Sequence, residues 1–195
     1  MNAGWIGSIV GAVVLAGWAL DVPLLTSAGG AWVTTKPLTA VCLALSGAIV
    51  ALLSETNQRR TLARMTLTMW LSLLCLLSTW AISGATSDAF WAVFVAEAPA
   101  AIESTRPGVP SLMTIASFWA VAGVGWASVW KNRRAVESVG AFLTASALVA
   151  IVGGYVFGWP LARYYIDGVS TAYAFPTALG FLCVGVGCLQ SERGG

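Results

Sequence analysis

Three threonines occupy matching positions and carry a repeated hydroxyl chemistry. Thr39, Thr114 and Thr177 each open an apolar run. Each is followed three residues later by a small residue (Cys42, Ser117, Gly180) and eight residues later by Gly or Ala (Gly47, Ala122, Gly185). A hydroxyl donates one hydrogen bond and accepts two, so three at equivalent points can hold a polar ligand. They cannot do acid–base or nucleophilic work alone. The chain has no histidine and no clustered acids from which to build a nucleophile–base pair, so it reads as a non-enzyme. An aromatic also recurs at one point of the pattern, as Trp18, Trp80 and Tyr155. The candidate ligand-binding set is therefore Trp18, Thr39, Trp80, Thr114, Tyr155 and Thr177. The candidate helix-packing set is Gly47, Ser117, Ala122, Gly180 and Gly185. The competing use of each hydroxyl is a bond to the carbonyl four residues back in its own helix.

The elements that must position these residues follow from composition. Apolar residues make up 58% of the chain and charged residues 9%, and mean hydropathy is +0.82. A soluble domain carries roughly a quarter charged residues, so lipid is expected outside this one. Six apolar runs, near 5–20, 38–54, 65–83, 111–130, 136–157 and 172–189, approach the roughly 20 residues a spanning helix needs. Lipid offers no partner to an open backbone, and the runs lack a barrel's alternation, so they are helices. The expected fold is all-α: one polytopic transmembrane domain over 1–195 with six transmembrane helices as three repeated helical hairpins. The repeats run approximately 1–60, 61–134 and 135–195. Pro37, Pro110 and Pro176 precede the threonines and suit helix starts. Small faces mark helix contacts in lipid, so the second, fourth and sixth helices should meet centrally, with Gly47, Ala122 and Gly185 along the axis. The longer middle loop, within 87–106, should form a helix on the membrane face. Ser87 and Asp88 cap it there, and Phe90, Trp91, Val93, Phe94 and Val95 supply its apolar side.

Arg59, Arg60, Arg64, Lys131, Arg133, Arg134 and Arg193 fall on one side of this scheme, against Lys36, Arg106 and Arg163 on the other. The positive-inside bias then places both termini in the cytoplasm of a bacterial inner membrane. The start, Met1-Asn2-Ala3-Gly4-Trp5, lacks a signal peptide's basic region, so the first run is expected to remain as a helix. Without histidine there is no ligand for haem or chlorophyll, and no metal site is expected; lipid or quinone stays open. Cys42, Cys75, Cys183 and Cys188 form no CxxC pair and read as small packing residues. A formal charge of +2 gives no reason to expect nucleic acid. Most of the ten tryptophans lie near inferred helix ends, as interface anchors do.

Pro37-Leu38-Thr39-Ala40-Val41-Cys42, Gly154-Tyr155-Val156-Phe157-Gly158-Trp159-Pro160 and Pro176-Thr177-Ala178-Leu179-Gly180-Phe181 together resemble a known pattern. It is that of the membrane-embedded sensor region at the N-terminus of many bacterial sensor histidine kinases and diguanylate cyclases. The resemblance implies a sensory, ligand-binding input module without its own catalytic domain. Such a module would signal through a cytoplasmic kinase or cyclase partner, or through an output domain beyond this sequence. The alternative is an accessory subunit of a respiratory or photosynthetic membrane complex, binding lipid, quinone or a neighbouring subunit. Oligomerisation is compatible with both. A solute carrier is disfavoured, because neither Pro23 nor Pro160 is followed by the acid–base signature of three-hairpin carriers.

Overall fold

Asn2 starts the first helix by accepting a hydrogen bond from the Gly4 amide at 3.0 Å, and α1 (Ala3–Ala19) follows. Asp21, at φ 53°, turns the chain into the short α2 (Pro23–Ser27). Pro37 occupies the first position of α3 (Pro37–Ala51), where its missing N–H costs nothing. α4 is Gln58–Ile82, and α5 (Leu112–Ala127) begins at Ser111, whose hydroxyl accepts from the Thr114 amide. A 3₁₀ turn, Ser128–Trp130, ends α5. Asn132 caps α6 (Arg133–Leu148), which continues without a break as a π-helix over Val149–Val156. Gly158, at φ 71°, reverses the chain into the 3₁₀ turn Pro160–Arg163, and α7 (Phe175–Ser191) closes it. This computed structural model describes residues 2–27, 32–53, 55, 57–82, 110–130, 132–166 and 170–191. The expected surface helix within 87–106 lies outside the described residues.

The described residues are helical, with a single isolated bridge between Ile166 and Ser170 and no strand among them. Among the described residues three stretches are long and apolar enough to cross a membrane: Gln58–Trp80, Leu112–Trp130 and Arg133–Val156. The other three apolar helices have 17, 15 and 17 residues. At about 1.5 Å per residue they fall short of a hydrocarbon core of about 30 Å. The shortening has visible causes. Asp21 and Pro23 stop α1, and Pro37 sets the start of α3. Arg64 reaches back from α4 to the Leu52 and Leu53 carbonyls at 3.3 Å, satisfying the end of α3.

The packing has an inner and an outer set. α3, α5 and α7 form the inner set: Leu43 of α3 packs on Gly180 of α7, and Phe118 of α5 meets Phe181 of α7 at 4.8 Å between centroids. Each outer helix contacts two inner ones, α1 lying on α3 and α7, α4 on α3 and α5, and α6 on α5 and α7. Large apolar side chains point outward, including Ile9, Met69, Trp70, Leu73, Leu76, Phe142, Val149 and Val152. Hydroxyls point inward, including Thr39, Ser46, Thr68, Ser78, Thr114, Ser117 and Thr177. An interior richer in hydroxyls than the surface suits a lipid surround. Trp119 and Trp126 on α5 reach sideways to α4, donating to Thr79 Oγ1 at 3.1 Å and Ser72 Oγ at 3.2 Å.

The packing glycines correct one expectation. Gly47 does not face the axis: a Cβ there would lie 2.3 Å from the Ser8 amide nitrogen and 2.5 Å from the Gly4 carbonyl oxygen of α1. Gly185 likewise faces α6, at Thr144 and Gly140. The reason is rotation. Eight residues of helix turn about 80° past two full turns, so a glycine eight places after a threonine looks sideways toward the neighbouring outer helix. Ala122 is buried in the core with Phe118 and Val121.

Candidate functional site

Thr39, Thr114 and Thr177 each fall at the third residue of their helix, α3, α5 and α7. The three helices begin at the same end of the bundle, and all three threonines line one polar cleft there. Different devices produce this common register. Pro37 is the first residue of α3, Pro176 the second residue of α7, and α5 uses the Ser111 hydroxyl instead, with Pro110 just ahead of it. The remaining wall of the cleft comes from Thr34, Thr35, Lys36, Pro110, Ser111, Thr171, Ala172 and Ala174.

At the third residue of its helix, each threonine has no carbonyl four residues back within that helix to bond. The Thr177 hydroxyl lies 3.2 Å from the Thr35 hydroxyl, and that of Thr114 lies 2.7 Å from Ser111 Oγ. Ser46 and Ser117 do turn inward on their own helices, donating to Cys42 and Met113 carbonyls at 2.7 and 2.9 Å. Ser117 Oγ also sits 3.4 Å from Tyr173 Oη, a long contact. The cleft comprises about 210 Å³ of empty space including its open mouth, and its closed part has room for about one water.

The aromatic members of the candidate set are placed differently from one another. Trp18 stands behind the cleft wall, its indole N–H donating to the Thr35 carbonyl at 2.8 Å. Tyr155 belongs to a neighbouring aromatic cluster with Trp32 and Phe175, at centroid distances of 5.1 and 5.3 Å. Its hydroxyl donates to the Tyr173 carbonyl at 2.8 Å, tying the π-helix to the segment that enters α7. The Arg163 guanidinium lies 5.7 Å from the Tyr155 ring centre. Trp80 is half exposed on α4 and is not brought to the cleft. Next to this cluster, Tyr164 donates to the Ser146 carbonyl at 3.2 Å, and burial pushes its phenol above the usual range.

Thr35, Lys36, Ser111 and Thr171 line the cleft but are not among the candidate site residues. The signal was local: Thr34-Thr35-Lys36 and Ser170-Thr171 are polar runs just ahead of helix starts in a chain otherwise poor in polar residues. Lys36 is only 2% exposed, which loop charges rarely are. Among the described residues no group of three or more His, Cys, Asp or Glu side chains gathers. No protein-family model, curated protein or solved structure matches the chain.

Proposed function

We propose that the chain is a six-span membrane bundle of three repeated hairpins, acting as a sensory input module that binds a small polar ligand in the threonine cleft. One observation carries this reading: three helix starts of the same register deliver three buried threonines to one cleft, inside a bundle that is apolar outside. Packing alone does not require hydroxyls at all three points. In this reading the helices shorter than a bilayer span with the help of their flanking turns, and the cytoplasm holds the Arg59–Arg64 end. The resemblance to the sensor region of histidine kinases and diguanylate cyclases supports the same role.

The closed part of the cleft is small, so a ligand larger than water must part the first turns of α3, α5 and α7. That supplies the differential affinity for two packings that any sensor needs. The far end of α7 then carries the bias to an output domain or partner. The test is a fusion of the chain to a cyclase or kinase output, assayed in cells. Thr39→Val, Thr114→Val and Thr177→Val together should abolish the stimulus response while the protein stays in the membrane. An unchanged response would remove the cleft from the mechanism. The accessory-subunit reading rests on the broad apolar face of α4 (Met69, Trp70, Leu73, Leu76). It requires fixed-stoichiometry co-purification with a respiratory or photosynthetic core.

A further inference from the structure

The end of the bundle away from the cleft gathers charge of one sign. α5 runs antiparallel to α4, since Trp119 donates to Thr79, Trp126 donates to Ser72, and a Cβ at Gly125 would meet Thr68. The exit of α5 therefore lies toward the first turns of α4. The Asn132 amide bonds the Ala127 carbonyl at 3.2 Å, so α6 starts against the last turn of α5. Arg59 and Arg60 stand in the first turn of α4, Arg133 and Arg134 in the first turn of α6, and all four are exposed. With Arg64 this end holds five arginines, against Glu55 and Glu137 as its acids among the described residues.

The fold does not neutralise these arginines. Glu55 pairs with Arg60, while Arg59 and Arg134 pair with no acid among the described residues. Arg64 is 6% exposed, and its guanidinium bonds the Leu52 and Leu53 carbonyls, with Nε unpaired among the described residues. A buried charge is costly without a counter-charge, and a cation gains nothing from the positive start of a helix. An anion outside the chain offsets both. The surface beside these charges is apolar. Trp130 is 83% exposed, the most exposed large apolar side chain among the described residues, and Val129 and Leu62 are exposed as well. An acidic protein segment would match the arginines and leave these three in water. A phospholipid of negative charge matches both, with its phosphate at the arginines and its chains against Leu62, Val129 and the outward face of α4.

We propose that this end of the bundle, at the starts of α4 and α6 around Trp130, selects an anionic phospholipid, with Arg59 and Arg134 as its head-group contacts. The proposal rests on the membrane-bundle part of the reading above and not on the cleft.

The test uses the full chain in mild detergent. Phosphatidylglycerol and phosphatidylcholine of the same chain length are each titrated in, and bound lipid is counted by native mass spectrometry. Wild type should bind phosphatidylglycerol at least about tenfold more tightly, with a preference that shrinks as ammonium acetate rises. An arginine near anionic head groups contributes about fivefold, so Arg59→Gln with Arg134→Gln should cancel most of the preference and leave phosphatidylcholine binding unchanged. The single substitutions, each expected to lose about fivefold, decide the matter if the pair does not fold. Equal affinity of wild type for the two lipids would overturn the proposal. A preference that the variants leave intact would also overturn it, by moving the selection elsewhere on the chain. Saturable binding of poly-glutamate without lipid selection would assign the patch to an acidic protein segment, which overturns the proposal too. If carbonate strips the chain from native membranes, the bundle reading itself falls; a chain that stays embedded and selects no lipid removes this proposal alone.

Discussion

Replacing Gly47 by alanine puts a methyl group where the backbones of α3 and α1 touch. The new Cβ would lie 2.3 Å from the Ser8 nitrogen, 2.5 Å from the Gly4 oxygen and 2.8 Å from the Gly7 carbonyl carbon, all main-chain atoms that no rotamer change can move. Ordinary contact begins at 3.4 Å, so the helices must part by about 1 Å. The Ser8 hydroxyl, now donating to the Ala44 carbonyl at 2.8 Å, would then pass beyond hydrogen-bonding distance. Overpacking costs about 1–3 kcal/mol and the lost hydrogen bond about 0.5–1.5 kcal/mol. Alanine returns up to about 1 kcal/mol of helix propensity. The expected net loss is about 0.5–4.5 kcal/mol. The measurement is equilibrium unfolding in mixed micelles, read by tryptophan fluorescence, with Gly123→Ala as the partner variant. A Cβ at Gly123 meets nothing within 4 Å, so that substitution should be neutral or stabilising by up to about 1 kcal/mol. Gly47→Ala at or above wild-type stability would refute the close approach of α1 and α3.

Arg64→Leu should lower stability by about 1–3 kcal/mol in the same assay, because it removes the guanidinium that bonds the Leu52 and Leu53 carbonyls just past the end of α3. Arg64→Lys should recover only part of this, since an ammonium cannot reproduce the planar fork. The raised Tyr164 phenol gives a pH dependence of definite sign. The unfolded phenol ionises near pH 10 and the folded one higher, so the contribution is intact below about pH 10 and is lost as pH rises further. Tyr164→Phe should flatten that alkaline loss, and a variant with the same alkaline profile as wild type would remove Tyr164 as its cause.

Much of the inner architecture was legible because hydrophobicity and side-chain size report directly on lipid and helix contacts. The six apolar runs correspond to the six longer helices, with ends that agree within a few residues except at α4. There Arg59, Arg60 and Arg64 are the first turns of the helix itself rather than a loop. The matching positions of Thr39, Thr114 and Thr177 were readable from spacing alone. The direction faced by Gly47 and Gly185 was not, because grouping residues eight apart ignores about 80° of helical rotation. Trp18 and Trp80 shared a repeat position and met different fates. Trp18 finds the Thr35 carbonyl on the segment that returns from α2, whereas Trp80 is half exposed near the end of α4. The π-helix at Val149–Val156 carries no mark in the sequence beyond Gly153-Gly154. The burial of Thr35 and Lys36 is not legible, because no periodicity reports on a segment that precedes a helix.

Convergence of the helix starts in a bilayer can be measured by a disulfide. The Thr35 and Thr177 hydroxyls lie 3.2 Å apart, so paired thiols at these positions need only small adjustments to bond. The variant carries Thr35→Cys and Thr177→Cys with the four native cysteines replaced by alanine, and is oxidised in native membranes. Rapid, near-complete cross-linking, with none for Trp80→Cys paired with Thr177→Cys, is the predicted outcome. Absence of the first cross-link in membrane-inserted protein would contradict the cleft and the ligand-binding role built on it.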